Sequence, residues 1–420
     1  MSDELPSIMY CRRAIEALRS GVPNHDAVRV MGCDQNVVED VFGERIEQSS
    51  EYLSAGKQLP GLLVSGQFGT GKSHLLEYLE HRALSKGFVC SRIVISKETP
   101  LFDPAKLYRA AVESAVVPGR GGHAIQEMAL RLHDTDDYAR FYQWCSSASP
   151  GVSAFFRATL FLHERLGGDP ELVEAIVNFW SGERLSVAKI KQGLRLVNAG
   201  SMFQVQTVPA KVLPFERFLF AARMAAGAGY KGWVLLIDEV ELIGRYTFLQ
   251  RAKSYAELAR WMGLLEAECY PGILTVGAIT DSFAPEVLVG KGDLPSMRIG
   301  LDSKGRPDYA EIGARAEVGM QAIYRDSIHL KQPEPATLEQ TYHRLKELHA
   351  KAYTWQPPDI ARAQASLSTP MRTHVRRWIN EWDLRRLYPG TCFTIEEQQL
   401  APSYAEDKEL EAAPEASDKS

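Results

Sequence analysis

The sequence predicts an α/β fold: a parallel sheet with a glycine-rich turn after its first strand, a large helical insertion and a C-terminal helical lid. Three observations predict it. Residues 61–74, GLLVSGQFGTGKSH, join an apolar strand to a turn and then to a helix. A second apolar run, WVLLIDE, closes on the adjacent acids Asp238 and Glu239, and a third, ILTVGAI, closes on Thr280 and Asp281. Runs that are apolar on both faces read as strands of a buried parallel sheet, and ligands of such sheets gather beyond the strands' carboxyl ends.

At 420 residues, with 45% hydrophobic and 24% charged side chains, the chain is long enough for two or three domains and ordinary in composition. No apolar run approaches the ~20 residues that span a bilayer. The opening MSDELPSIMY lacks a basic stretch followed by an apolar core, so a cytoplasmic location is expected, with neither a leader nor a membrane contact. Six cysteines are scattered without C-x-x-C pairs, which suggests reduced thiols and neither a zinc site nor a disulfide framework. Most of the net charge of −5 sits in the last twenty residues, where six acids stand against two lysines. The remainder is close to neutral, so nucleic-acid binding would need a local basic face.

Residues 1–60 read as an N-terminal helical segment, with helices over 7–20, 26–31 and 35–56 packing at the edge of the sheet. The first part of the core, 61–101, holds the strand 62–64, the helix 73–83 and a strand over 87–96. Together they form a βαβ unit. Residues 102–230 read as a helical insertion, with helices over 104–117, 125–133, 137–145, 154–166, 170–179, 186–196 and 215–226. Its aromatics, Phe156 and Trp180 among them, recur near helical spacing and are read as its core rather than a base-stacking platform. The second part of the core, 231–332, holds strands over 233–237, 273–279 and 327–330. The lid, 333–395, carries a helix over 336–353 and the basic segment MRTHVRRWINEWDLRRL after Pro370. Residues 396–420 read as an acidic, disordered tail.

Gly66, Gly71, Lys72 and Ser73 fit the Walker A spacing G-x-x-x-x-G-K-S. Glycines at 66, 69 and 71 let the backbone wrap a pyrophosphate with its N–H groups turned inward. The nucleotide-binding residues are therefore expected to be Gly66, Gln67, Phe68, Gly69, Thr70, Gly71, Lys72, Ser73 and His74. Lys72 would reach the β- and γ-phosphate oxygens, the Ser73 hydroxyl would complete a Mg²⁺ shell, and the helix N-terminus would face the anion. So short a pattern also arises by chance; the strand before it and the helix after it supply the required context.

Asp238, ending a Walker B-like run, would bind Mg²⁺ through water, and Glu239 would orient and deprotonate the attacking water. Alone, an apolar run ending in Asp-Glu is weak evidence, because acids often end strands. Two carboxylates beside roughly four phosphate charges make sense only with the metal. ATP and Mg²⁺ are thus the expected cofactors. At the next strand end Thr280 is favoured over Asp281 as the group on the γ-phosphate or water, since a further carboxylate would be repelled. The plain alternative is a strand cap.

The order of these parts resembles the AAA+ branch of P-loop ATPases. That resemblance implies the sheet order 5-1-4-3-2, with Thr280 as first sensor and Arg372 as second, reaching from the lid to the γ-phosphate. It also implies an arginine finger from a neighbouring subunit, a group worth ~10³–10⁵ in rate. Arg325 is its best positional match, with Arg298, Arg315, Arg245 and Arg251 as alternatives. Lys72 and Asp238 lie 166 positions apart, more than a minimal core of that branch requires, because of the insertion.

A closer likeness rests on GLLVSGQFGTGKSHLLEYLEH, FVCSRIVISKETPLFDPAKLYRAAVESAVVPGR, WVLLIDEVELIGRYTFLQRAKSYAELARWMG and VRRWINEWDLRRLYPG. Over roughly residues 10–395 these are similar to the BrxD ATP-binding proteins of bacterial BREX phage-defence systems. The resemblance implies a role in defence against phage, as a homo- or hetero-oligomer or beside other defence proteins. The expected function is a Mg²⁺-dependent ATPase that remodels or recruits a partner protein or DNA. Two rivals stay open: an ATP-gated switch or scaffold with little turnover, and a DNA-binding, helicase-loader-like ATPase using basic residues over 372–386 and 189–195.

Overall fold

A computed structural model describes residues 7–21, 24–120, 122–147, 151–165, 169–332, 334–360, 371–390 and 404–407. Its centre is a sheet of five parallel strands: β1 (Leu62–Ser65), β2 (Val89–Val94), β3 (Trp233–Asp238), β4 (Ile273–Ile279) and β5 (Ile328–His329). The spatial order is β2-β3-β4-β1-β5, the order the AAA+ resemblance implies. Every residue of β1, β3 and β4 is buried, as their unbroken apolar runs require when helices cover both faces. The register sets Arg92 beside Leu236, Val94 beside Asp238, and Ser65 beside both Ile279 and His329.

The helices run in order α1 (Ile8–Ser20), α2 (His25–Met31), α3 (Asn36–Glu47), α4 (Ser49–Ser54), α5 (Lys72–Ser85) and α6 (Pro104–Glu113). Through the insertion come α7 (Ala124–Arg131), α8 (Asp137–Ser146), α9 (Ala154–Arg165), α10 (Pro170–Trp180), α11 (Val187–Leu196) and α12 (Leu213–Gly227). Between β3 and β5 lie α13 (Phe248–Trp261), α14 (Asp293–Asp302) and α15 (Pro307–Arg325), and the lid holds α16 (Pro335–Tyr353) and α17 (Met371–Leu387). The single helix expected over 35–56 is two, divided at Gln48. No helix among the described residues is long and apolar enough to cross a membrane.

Side chains alternate across each strand and so feed two cores. Leu62, Val64, Val234, Leu236, Leu274 and Val276 pack with Leu75, Leu76 and Leu79 of α5 and Val38 and Phe42 of α3. The other face, through Leu63, Leu235, Ile237 and Ile279, is continuous with the aromatic interior of the insertion. Trp233 contacts Phe218 at 5.8 Å between ring centroids, and Phe220 lies 5.2 Å from Trp180 and 5.1 Å from Phe156. The Trp233 indole N–H donates to Ser91 Oγ at 2.8 Å, and Tyr108 donates to the Trp180 carbonyl at 2.5 Å. These aromatics are buried core.

A third core lies apart from the sheet. Cys11, Ala14 and Ile15 of α1 pack on Tyr342 and Leu345 of α16 and on Trp378, Ile379 and Trp382 of α17. Helix α1 therefore joins the lid, whereas α3 packs on the sheet as expected. At the centre of the lid His349, fully buried, accepts at Nδ1 from the Trp355 indole (2.9 Å) and donates from Nε2 to Asp383 (3.1 Å). Arg385 pairs with Glu381, and Arg386 lies near Asp383 and over the Tyr353 ring. Much of the basic segment's charge is thereby held within the lid.

Candidate functional site

Strand β1 delivers the chain into the turn 66–71, whose first N–H donates to the Ile279 carbonyl at 3.1 Å. Gly69 and Gly71 have φ of 82° and 102°, values a side chain would resist, and Gly71 caps α5. Lys72 follows at once. Its side chain is buried, and its ammonium donates to the carbonyls of Gly66 (3.0 Å) and Gln67 (3.3 Å), which holds it across the mouth of the turn.

Asp238 ends β3 with only 5% exposure. Its Oδ1 accepts the Glu239 N–H at 3.0 Å, and its Oδ2 lies 3.9 Å from Arg92 Nη2. The same nitrogen donates to the Ser73 carbonyl at 3.1 Å, while Arg92 Nη1 pairs with Glu77. Arg92 thus ties β2, α5 and the end of β3 together, and places Ser73 and Asp238 on either side of one guanidinium nitrogen.

Glu239 occupies the left-handed region (φ 60°, ψ 33°), an uncommon conformation for a non-glycine residue and one that concentrates at functional sites. Burial, and next the Asp238 charge, raise its carboxyl above the ordinary value, against the pull of Lys72 and Arg372. A third carboxylate lies close by. Glu241, in the 3₁₀ turn Val240–Arg245, is pushed up to about 7 by burial, and its Oε2 has no hydrogen-bond partner among the described residues.

The lid closes the other side. Arg372, in the first turn of α17, donates its backbone N–H to the Gly69 carbonyl at 3.4 Å, and its guanidinium lies 5.6 Å from the Phe68 ring centroid. The loop before α3 completes the wall: His74 Nε2 contacts the Gly32 carbonyl at 2.8 Å, and the Gln35 amide brackets the Lys331 backbone at 2.9 and 3.1 Å. The cleft between them has a volume of about 400 Å³, within the range of small-molecule sites. Phe68 through Leu75, Asp238, Glu239, Glu241 and Arg372 line it, with Met31 and Cys33 at the end near α2.

Gly66 and Gln67 do not line the cavity but meet Lys72 through their carbonyls, and two more expected residues stand elsewhere. Thr280 is buried at the end of β4, but its hydroxyl shares a 2.5 Å hydrogen bond with Tyr404 and does not line the cavity. Arg325 ends α15, exposed, with no ion-pair partner among the described residues. The four alternatives are all paired: Arg298 with Glu317, Arg315 with Glu268, Arg245 with Asp407, and Arg251 with Asp293 and Glu406. Arg92, Glu241, Gln35 and Tyr404 were not expected. Of these only Arg92 left a signal in the sequence, a charge set inside an apolar strand.

No cluster of three or more His, Cys, Asp or Glu side chains among the described residues could hold a metal ion unaided. Ser73, through its hydroxyl, and Asp238, through its carboxylate, both line the cavity and offer two hard oxygen donors. That fits Mg²⁺, which usually takes one or two protein ligands and fills its shell with phosphate oxygens and water.

The family model described as BREX system ATP-binding protein BrxC/D matches residues 11–128 and 215–377, most of the chain. The span between the two matches falls inside the helical insertion. No curated protein and no solved structure matches.

Proposed function

The chain belongs to the family of BREX system ATP-binding proteins BrxC/D, and from that premise we propose that it is a Mg²⁺-dependent ATPase of AAA+ type acting in phage defence. One observation carries this reading: Lys72, the adjacent Asp238 and Glu239, and Arg372 converge on a single cavity from three separate stretches of chain. The turn 66–71 and Lys72 hold the phosphates, and the loop 31–36 lies at the base end. Ser73 and Asp238 would hold Mg²⁺, which when bound would neutralise charge on the β- and γ-phosphate oxygens. Glu239 orients the attacking water and takes its proton at the carboxylate, for which a raised affinity suits a base working near neutral pH. Arg372 draws the lid onto the γ-phosphate.

The active form is an oligomer in which Arg325, exposed and unpaired among the described residues, enters the site of a neighbouring copy. Hydrolysis is spent on remodelling or recruiting a partner in the defence system. Replacement of Glu239 by Gln tests the chemistry directly, with phosphate release and ATP binding measured separately. Binding should persist while hydrolysis falls by about 10²–10⁴-fold. Normal hydrolysis would remove Glu239 as the base, and unchanged binding in Lys72→Ala would remove the phosphate-loop assignment.

A further inference from the structure

Four residues near the C-terminus, Tyr404, Ala405, Glu406 and Asp407, lie across the loops that follow β3 and β4, although the sequence reads as a disordered tail there. Tyr404 is only 8% exposed. Its hydroxyl bonds Thr280 Oγ1 at 2.5 Å and Ser282 Oγ at 3.1 Å, and its ring stands edge-on to Phe283 with centroids 6.0 Å apart. The floor of the slot is Gly244, where a Cβ would come within 2.9 Å of the Tyr404 ring. The same Cβ would meet the Val287 side chain at 2.9 Å, so the glycine keeps the slot open on both sides.

The charges match as well. Glu406 accepts from Arg251 Nη1 at 3.0 Å, and Asp407 accepts from Arg245 Nη2 at 2.6 Å. Asp407 also donates its backbone N–H to the Arg245 carbonyl at 3.2 Å. Arg251 is aimed in advance: Asp293 takes its Nε and Nη2 at 2.8 and 2.9 Å, and Nη1 donates both to the Tyr246 carbonyl at 2.8 Å and to Glu406. Lys291, donating to the Gly244 carbonyl at 2.8 Å, adds a third cation to this groove. An aromatic slot beside two oriented arginines is a built seat for an acidic, tyrosine-bearing segment.

We propose that residues 404–407 form an autoinhibitory strap: docked, they hold the Thr280 hydroxyl away from the nucleotide, and their release frees it. The inhibition rests on the ATPase reading, in which Thr280 contacts the γ-phosphate or the attacking water. The docking does not. The Glu406 and Asp407 side chains are 53% and 28% exposed, so their ion pairs are weak and screened by salt, which makes the strap releasable.

The test uses the full chain and two variants outside the nucleotide machinery, Tyr404→Phe and the double substitution Glu406→Gln with Asp407→Asn. Phosphate release at saturating ATP is read beside hydrogen–deuterium exchange of the 404–407 backbone, with melting temperature as the check on folding. Both variants, each of which removes two polar contacts of the strap, should raise turnover by about three- to tenfold or more, with ATP affinity unchanged. Exchange at 404–407 should quicken in both, and in the unaltered chain it should quicken when ATP is added. Lower or unchanged turnover in variants whose strap has come off would overturn autoinhibition. Fast exchange of the Asp407 N–H in the unaltered chain without ATP would overturn the docking. If no form hydrolyses ATP yet ATP still releases the strap, the ATPase reading fails while the nucleotide-sensitive strap stands.

Discussion

Glu241 sits among Lys72, Asp238 and Glu239 with one oxygen unbonded, and burial raises its carboxyl from 4.5 to about 7. The folded chain therefore holds this proton more tightly than the unfolded chain does. Its stabilising effect is complete below pH 4.5 and is lost as the pH rises through about 7. A shift of this size corresponds to a loss on the order of 3 kcal/mol across the window. Glu241→Gln cannot ionise, so it should gain stability relative to the unaltered chain between pH 5 and 7.5, measured by urea unfolding at both values. Parallel pH profiles for the two chains would refute the assignment. Lys72, Ser73, Asp238 and Glu239 were legible because each belongs to a local pattern, a glycine spacing or a strand end. Arg92 showed only as a charge inside an apolar strand, and Glu241 and Tyr404 not at all, since their meaning lies in contacts with distant stretches; Thr280 and Tyr404 are 124 positions apart.

Helices α13 and α15 cross so closely at Gly319 that a Cβ there would lie 2.0 Å from the Tyr255 carbonyl oxygen. The clash is with backbone, which cannot swing aside as a side chain would. Gly319→Ala should therefore cost about 3 kcal/mol or more of stability, read as a lower urea midpoint. A midpoint within error of the unaltered chain would mean that the crossing is looser than described. The strands were readable as elements because each is a short apolar run bounded by turn residues or strand-end acids. Helix α13 left no such trace. Buried nearly all round, it carries Arg251, Glu257 and Arg260 into the interior, where Arg251 pairs with Asp293 and Arg260 with Glu257 and Tyr270. Those buried charges blur the period that marks an amphipathic helix. The lid helices kept their pattern, but sequence alone could not tell that α1 belongs beside them.

At the scale of the molecule, Arg325 is set apart from the other four arginines by being exposed and unpaired among the described residues. If it serves a neighbour's site, Arg325→Ala should bind ATP normally and lose turnover by about 10³–10⁵-fold. Mixing Arg325→Ala with Glu239→Gln should restore part of that turnover, because a site with an intact Glu239 then meets an intact Arg325. No recovery on mixing, or full activity in Arg325→Ala alone, would dismiss the arrangement. The sheet order and the two carboxylates at its edge were readable from the sequence through motifs and their resemblance. The fusion of insertion and sheet was not, because helical spacing says that aromatics are buried without saying against what.

Trp233, which fastens the insertion through Phe218 and Tyr108, opens the same six-residue strand that Asp238 closes. A strand of that length is a rod of about 17 Å, hydrogen-bonded on both edges and unable to stretch. Displacement of the insertion by anything it grips would therefore travel along β3 as along a pushrod and arrive at the carboxylates. The mechanical coupling runs both ways: a change of phosphate state at Asp238 and Glu239 would tilt whatever the insertion holds.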